Sequence, residues 1–272
     1  MNPVTAAIEV ARQATLQLVR HRMMVVVLGL ALVAMVLFAF LMPLRWAREH
    51  TGDELYGLVA YVAWIQFGLP FVALFFGVTV VHQDLEDRTA TYLFLRPIRR
   101  VPLLLGKWLA ASVVSALVIA VIVVVTWLAI AVPTRPWRAG LPPGASSCWV
   151  IALGAVLAAP AYTAVGAFAG ATFKRPLVLA MAFFVGWEVV VSNLPGQSGV
   201  RGLTIAEPLR RWLCERLPAA FEVVRGMRLP TGAGLQVAGP DPLFALARAA
   251  VLPLAAALWI YSRREYDSRP RD

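Results

Sequence analysis

The sequence predicts an all-α integral membrane protein, and three observations support this. Hydrophobic residues make up 60% of the 272 residues, charged residues make up only 15%, and the mean hydropathy is +0.73. The apolar residues also come in long blocks, without the amphipathic rhythm of a soluble helix. A helix of roughly 20 apolar residues crosses a bilayer core of about 30 Å and satisfies its own backbone polar groups. We therefore expect a single transmembrane domain over residues 1–272.

Six blocks are long enough to span the bilayer. They are residues 23–41, 55–81, 103–132, 149–173, 177–194 and 243–261. Charged residues are rare in them: Lys107 and Arg248 lie near the starts of the third and sixth blocks, and Glu188 lies deep in the fifth. Six transmembrane helices are the prediction.

The first block is too long, and begins too far from the N-terminus, for a cleaved signal sequence, so we expect a retained helix. Before it, residues 2–22 place apolar side chains such as Val4 and Ile8 on one helix face and polar ones such as Glu9 and Arg12 on the other. This pattern predicts an amphipathic helix lying in the membrane interface. A plain helical extension of the first span is the alternative.

The distribution of arginine and lysine predicts the orientation. With the N-terminus in the cytoplasm, the cytoplasmic segments carry Arg12, Arg20, Arg22, Arg88, Arg96, Arg99, Arg100, Lys107, Lys174, Arg175, Arg263, Arg264, Arg269 and Arg271. The short outer loops are poorer in these residues, and the long outer segment, residues 195–242, counts for little in the positive-inside rule. Both termini are therefore predicted to be cytoplasmic. The net charge of +10 then indicates topology rather than a nucleic-acid-binding surface.

The largest predicted cytoplasmic loop, residues 83–102, is unusually rich in charge. Residues 82–107 contain three acids, four arginines and one lysine. The acids continue the second span as a polar turn, residues 89–95 are amphipathic, and Arg96-Pro97 breaks the helix. One interpretation is a solvated loop that only sets topology. The other is a rigid helical projection that docks in a groove of another protein.

The order of residues in this loop is distinctive. It reads Glu86-Asp87-Arg88-Thr89, Tyr92-Leu93-Phe94-Leu95-Arg96-Pro97, Arg99-Arg100 and Leu104-Leu105-Gly106-Lys107. This order resembles the cytoplasmic loop of the permeases of type 2 ABC transporters. The six spans, the interfacial helix, the long outer segment and the Arg263-Arg264-Glu265-Tyr266 tail are similar to that family as well. Arg88 departs from it, because the family usually has glycine before the threonine.

The resemblance implies the permease subunit of a type 2 ABC exporter in the bacterial inner membrane. In that family the loop is a coupling helix that fits a groove in a separate ATPase subunit. This implies an ATPase-coupling role for Glu86, Asp87, Arg88, Thr89, Tyr92, Leu93, Leu95, Arg96, Pro97, Arg99 and Arg100. It also implies ATP and Mg²⁺ in the partner ATPase, and a second permease that is identical or homologous to this chain.

The chain shows no ATP-binding motif of its own. Gly106-Lys107 is followed by Trp108 rather than by serine or threonine, and Val101 stands where a phosphate-binding loop has its first glycine. The three histidines are dispersed without metal-ligand spacing, and no catalytic Ser, His and Asp arrangement appears. We therefore expect a membrane transport subunit without catalytic residues, metal or cofactor, which contacts lipid, an ATPase and a second permease.

Glu188 is the charged residue placed deepest in a span, roughly 18 Å from its cytoplasmic end at 1.5 Å per residue. An ionised acid near the bilayer centre costs on the order of 2.5 to 3.5 kcal/mol and usually faces a bundle interior or a wet cavity. Glu188 is therefore a candidate pathway residue. The alternative is a structural hydrogen bond with Ser192, Asn193 or a neighbouring helix, made by either the ionised or the protonated acid.

Three further features concern packing and the outer side. Gly166 and Gly170 of the fourth span predict close helix packing, either within the subunit or at a subunit interface. Residues 204–217 predict an amphipathic helix on, or dipping into, the outer membrane surface. Cys148 and Cys214, the only cysteines, both fall on the outer side, where an oxidising compartment would permit a disulfide.

Two other functions share some of these features. A membrane subunit that transmits the work of an ATPase to outer-side proteins, without passing a solute, would show all of them. A secondary transporter normally shows inverted repeats, broken helices and several buried titratable groups, and this sequence has one such glutamate and no evident repeat. An exporter permease is the function that we expect from the sequence.

Overall fold

The computed structural model describes residues 9–15, 56–57, 59–86, 100–131, 145–191, 202–217 and 241–263. The main α-helices in these ranges are α1 (Leu69–Glu86), α2 (Arg100–Ala131), α3 (Ala145–Thr172), α4 (Pro176–Phe183), α5 (Ala206–Arg216) and α6 (Pro242–Arg263). A π-helical segment, π1 (Ala60–Gly68), leads directly into α1, and another, π2 (Phe184–Val190), directly continues α4. The described ranges contain no β-strand, so this part of the chain is all-helical.

Four of the described helices are long and apolar enough to cross a bilayer, namely Ala60–His82, Val101–Ala129, Ala145–Thr172 and Pro242–Arg263. They fall on the second, third, fourth and sixth spans predicted from the sequence. The fifth predicted span falls on Pro176–Val190, a shorter apolar helix. The first predicted span, residues 23–41, lies outside the described residues.

The predicted interfacial helix, residues 2–22, is described only over residues 9–15. This stretch is helical, with Glu9, Arg12 and Gln13 exposed and Ala14 buried. Val10 and Ala11 pack against the hydrophobic core. The two faces of this short stretch therefore differ in polarity, while the interfacial position of the whole segment stays a prediction.

Helix α3 is the central element of the described part and contacts α1, α2, α4, α5, α6 and π1. Small residues dominate it, and Ala155, Ala158, Ala159 and Ala164 are fully buried. Lipid tails are as apolar as leucine, so helices in a bilayer associate through close packing and interhelical hydrogen bonds. A helix made of small residues suits this central position because several neighbours can approach its backbone.

Three glycines allow α1 and α3 to pack backbone against backbone. A Cβ added at Gly77 would lie 2.5 Å from the Thr163 carbonyl oxygen, and one at Gly166 would lie 2.6 Å from that of Leu74. One at Gly170 would lie 3.0 Å from the Val78 carbonyl oxygen. The spacing of Gly166 and Gly170 thus serves packing within the subunit, one of the two uses that the sequence suggested.

Polar side chains join α2 and α3 around Pro160. The Pro160 carbonyl oxygen accepts a hydrogen bond from Nε1 of Trp108 at 3.1 Å. The hydroxyl oxygens of Ser112 and Thr163, both buried, lie 2.7 Å apart. Exposed apolar side chains of α2, as expected for contact with lipid, include Val113, Leu117, Val121, Val124 and Leu128. Helix α2 therefore combines a polar seam toward α3 with an apolar exposed surface.

Candidate functional site

Glu188 lies in π2 and is 3% exposed. Its Oε2 accepts a hydrogen bond from the Tyr162 hydroxyl of α3 at 3.1 Å. Oε1 accepts one from the backbone N–H of Ile205 at 2.9 Å, and Oε2 accepts another from that of Ala206 at 2.9 Å. A single carboxylate therefore joins π2, α3 and the first residues of α5. Of the structural partners considered from the sequence, a neighbouring helix is present, whereas Ser192 and Asn193 lie outside the described residues.

Each backbone position at the N-terminus of α5 either has an acceptor for its N–H group or has no N–H group. An α-helix leaves its first four N–H groups without an intrahelical acceptor. In α5 the Ile205 and Ala206 N–H groups donate to Glu188, and the Glu207 N–H donates to the Thr204 hydroxyl at 3.3 Å. The next residue is Pro208, which has no N–H to satisfy. Each of these four positions is thus either capped or lacks a donor.

Polar side chains of α5 extend this arrangement by a further turn. Glu207 and Arg210 form an ion pair in which the side chains are only 3% and 5% exposed. Tyr61 of π1 interacts electrostatically with both of them, and Tyr162 interacts electrostatically with Tyr61. The residues Tyr61, Tyr162, Glu188, Glu207 and Arg210, called the polar cluster below, connect π1, α3, π2 and α5.

The apolar side of α5 packs on α3. Leu209, Trp212 and Leu213 are buried, and a Cβ added at Gly154 would lie 3.2 Å from Leu213, 3.4 Å from Leu209 and 3.5 Å from Trp212. The Arg216 guanidinium covers the Trp212 ring at 4.2 Å from its centroid. The amphipathic helix predicted over residues 204–217 is thus seated against the other helices in the described structure.

The two π-helical segments contact each other. The rings of Phe67 in π1 and Phe184 in π2 meet edge to face with centroids 6.2 Å apart. Segments of π-helix are rare and often occur at functional sites, because the wider turn changes where side chains point. Here π1 carries Tyr61 and π2 carries Glu188, so both segments contribute a member of the polar cluster.

The predicted coupling loop is described only at its two ends. Helix α1 ends at Glu86 and α2 begins at Arg100, and only the helical backbone of these two residues is described. The other residues assigned to ATPase coupling lie outside the described residues: Asp87, Arg88, Thr89, Tyr92, Leu93, Leu95, Arg96, Pro97 and Arg99. Close to the loop, Lys107 is 8% exposed and its Nζ donates to the Val80 carbonyl oxygen at 3.4 Å. The lysine of the Leu-Leu-Gly-Lys sequence thus links α2 to α1.

Sequence reasoning did not identify Tyr61, Tyr162, Glu207 or Arg210 as members of a site. One signal was available for the start of α5, since Thr204-Ile205-Ala206-Glu207 has the S/T-x-x-E spacing of a capping box. The two tyrosines carry no local signal, because their partners are distant in sequence.

The cysteine pair and the candidate metal ligands are the other reactive groups considered from the sequence. Cys148 and Cys214 are not joined by the disulfide that the outer location would permit. Among the described residues, no group of three or more His, Cys, Asp or Glu side chains could hold a metal ion.

Comparison with known proteins supports the resemblance seen in the sequence. The family described as ABC-2 family transporter protein matches residues 9–266, which is almost the entire chain. No curated protein matches the sequence. Because the family match spans all the described helices, the chain belongs to the ABC-2 family of transporter membrane proteins.

Proposed function

We propose that this chain is one of two permease subunits of an ABC exporter, and that a separate ATPase docks on the loop between α1 and α2. Family membership supports a permease that works with an ABC ATPase. The Lys107 to Val80 hydrogen bond ties α2 to α1 beside that loop and supports a coupling role for this end of the two helices. A force applied to the loop would then move the two helices together.

The position of Lys107 also supports a subunit that relies on ATP hydrolysis elsewhere. A phosphate-binding lysine follows a glycine-rich loop and opens a helix. Here Gly106 and Lys107 lie inside α2, and the Lys107 ammonium is directed at the Val80 carbonyl oxygen. Lys107 therefore acts as a packing residue between helices, and the ATP and Mg²⁺ belong to the partner.

The loop itself offers both apolar and charged contacts to a partner. Tyr92, Leu93 and Leu95 supply apolar anchors, while Glu86 and Asp87 and the arginines Arg96, Arg99 and Arg100 supply both signs of charge. Exposed ion pairs contribute about 0 to 1 kcal/mol each, whereas a few buried apolar anchors usually dominate affinity. We infer that the apolar anchors hold the ATPase and that the charges set its register.

The test is co-purification of the ATPase with variants of this loop. Leu93→Asp, or Tyr92→Ala combined with Leu95→Ala, should release the ATPase during purification in detergent. The matched control Arg99→Ala, which removes one exposed charge, should weaken coupling only modestly. If the ATPase co-purifies undiminished with Leu93→Asp and its activity stays coupled, the loop only sets topology and the docking proposal is wrong.

The direction of transport needs a separate experiment. With the permease and its ATPase in inverted membrane vesicles, ATP-dependent uptake of a solute would support export. ATP hydrolysis without uptake of any solute, together with an outer-side protein bound to the complex, would support the alternative of mechanical transmission.

A further inference from the structure

The start of α5 lies at a depth where water is scarce. Its Ile205 and Ala206 N–H groups bind Glu188, which also binds Tyr162, and Tyr162 is 17 residues, or about 26 Å, from the first residue of α3. Helix α3 has 28 residues and is therefore about 42 Å long, which exceeds an apolar layer of about 30 Å by about 6 Å at each end. Tyr162 consequently lies inside the apolar layer, and the start of α5 reaches into the membrane to bind Glu188 beside it.

A helix N-terminus at that depth raises a hydrogen-bonding problem. Water cannot satisfy the first N–H groups there, and each unsatisfied backbone group in an apolar medium carries a large free-energy cost. In a soluble protein a nearby serine or aspartate would cap such a helix alone. In α5 the Thr204 hydroxyl accepts from the Glu207 N–H, and the Ile205 and Ala206 N–H groups find their acceptors in Glu188, from another part of the chain.

We propose that Glu188 is a positioning residue that fixes the start of α5 inside the membrane, and that Tyr162 orients its carboxylate. Both carboxylate oxygens face donors: Oε1 binds the Ile205 N–H, and Oε2 binds the Ala206 N–H and the Tyr162 hydroxyl. A carboxylate also interacts favourably with the positive end of the helix dipole. The position of α5 is thereby tied to π2 and α3, so a movement of either element is passed to α5.

The geometry also explains why this residue is a glutamate. A glutamine has the same size, yet it replaces one acceptor oxygen with an NH₂ group, which would face a backbone N–H or the tyrosine hydroxyl. An alanine removes both acceptors. Tyr162→Phe leaves both backbone contacts in place and removes only the hydroxyl that orients the carboxylate. Glu188→Ala should therefore weaken the attachment of α5 most, and Glu188→Gln and Tyr162→Phe should weaken it less.

The experiment is amide hydrogen exchange of the full chain in lipid nanodiscs, which needs neither the ATPase nor a substrate. Glu188→Ala should speed exchange at Ile205 and Ala206 by roughly 10- to 100-fold, the loss expected for hydrogen bonds to a charged acceptor. Glu188→Gln and Tyr162→Phe should give smaller increases at the same two amides. Ser115→Ala is the matched control, because it removes a fully buried hydroxyl that binds the Ala111 carbonyl oxygen of its own helix.

A second readout uses the native thiol of Cys214 on α5. In a Cys148→Ser background, Glu188→Ala should raise the rate at which a soluble maleimide labels Cys214, while Ser115→Ala should leave that rate unchanged. Should Glu188→Ala fail to fold, the two variants that preserve side-chain size, Glu188→Gln and Tyr162→Phe, still provide the exchange measurement.

Two outcomes would overturn the proposal. Exchange that rises equally in all helices would assign Glu188 to general stability. Unchanged exchange at Ile205 and Ala206 in Glu188→Gln, with an altered rate of ATP hydrolysis by the assembled complex, would assign Glu188 to the transport pathway instead. The exchange readout is independent of ATPase docking, so failure of this inference and failure of the proposed function are distinguishable.

Discussion

Gly77 of α1 and Gly166 of α3 lie so close that a Cβ on Gly166 would be 3.0 Å from the Gly77 Cα. A methyl group at either glycine would therefore push the two helix backbones apart. Because α3 also contacts most of the other described helices, a shift at this point would disturb the packing around it.

We expect Gly166→Ala and Gly77→Ala to destabilise the protein, each by about 1 to 3 kcal/mol, as overpacking does in a tightly packed core. The matched control is Gly186→Ala, since a Cβ there meets no atom within 4 Å. Thermal unfolding of the detergent-purified protein checks this prediction. A Gly166→Ala variant that unfolds at the same temperature as Gly186→Ala would contradict it.

The hydrogen bond from Trp108 to the Pro160 carbonyl oxygen should contribute modestly to stability. Trp108→Phe keeps an aromatic ring but loses the donor, and interhelical hydrogen bonds in membranes average about 0.6 kcal/mol with a maximum of about 1.7 kcal/mol. We expect a loss in that range, measured by unfolding in mixed micelles. Trp127→Phe on the same helix is a comparison that leaves the contact to Pro160 intact, and equal losses for both would argue against a specific role of this hydrogen bond.

Lys107→Met should separate coupling from stability. Methionine retains the length and much of the apolar volume of the lysine stem but cannot donate to the Val80 carbonyl oxygen. One neutral acceptor loses a partner, so we expect a stability loss of about 1 kcal/mol or less together with weaker stimulation of ATP hydrolysis in the assembled complex. Lys174→Met, at an exposed lysine between α3 and α4, serves as control. Normal stimulation in Lys107→Met would show that the contact does not transmit coupling.

The charge asymmetry predicts the topology. Single cysteines at Thr91 and Arg269 should be shielded from an impermeant thiol reagent in intact cells, while one at Gly199 should react, all in a background lacking Cys148 and Cys214. These three positions lie outside the described residues, so labelling provides independent information. Reaction at Thr91 from outside would reverse the predicted orientation.

Hydropathy alone locates the long helices, because a bilayer leaves the backbone few ways to satisfy its polar groups. Helix α6 is described as Pro242–Arg263, close to the predicted residues 243–261, and α5 falls within the predicted residues 204–217. The π-helical segments could not be predicted, since a wider turn leaves a uniformly apolar sequence unchanged. Only Pro70, just after π1, hints at an irregular turn.

The polar cluster shows why sites are harder to predict than helices. The cost of a buried charge singles out Glu188, yet its partners are 17, 18 and 26 positions away, and a local pattern cannot indicate which residue fills the space beside it. Tyr162 lies in an alanine-rich helix and resembles any other apolar residue there. Identifying this site required knowing that α5 folds back against α3.

The central place of α3 also affects biosynthesis. Residues 145–172 are synthesised after α1 and α2, whose contacts with α3 include Gly77, Trp108 and Ser112. Until α3 inserts, those surfaces face lipid or the translocation machinery, and the Ser112 hydroxyl has only the Trp108 carbonyl of its own helix as a described acceptor. A ribosome that stalls before residue 145 would therefore leave α1 and α2 in contact with each other but without the central helix against which both pack.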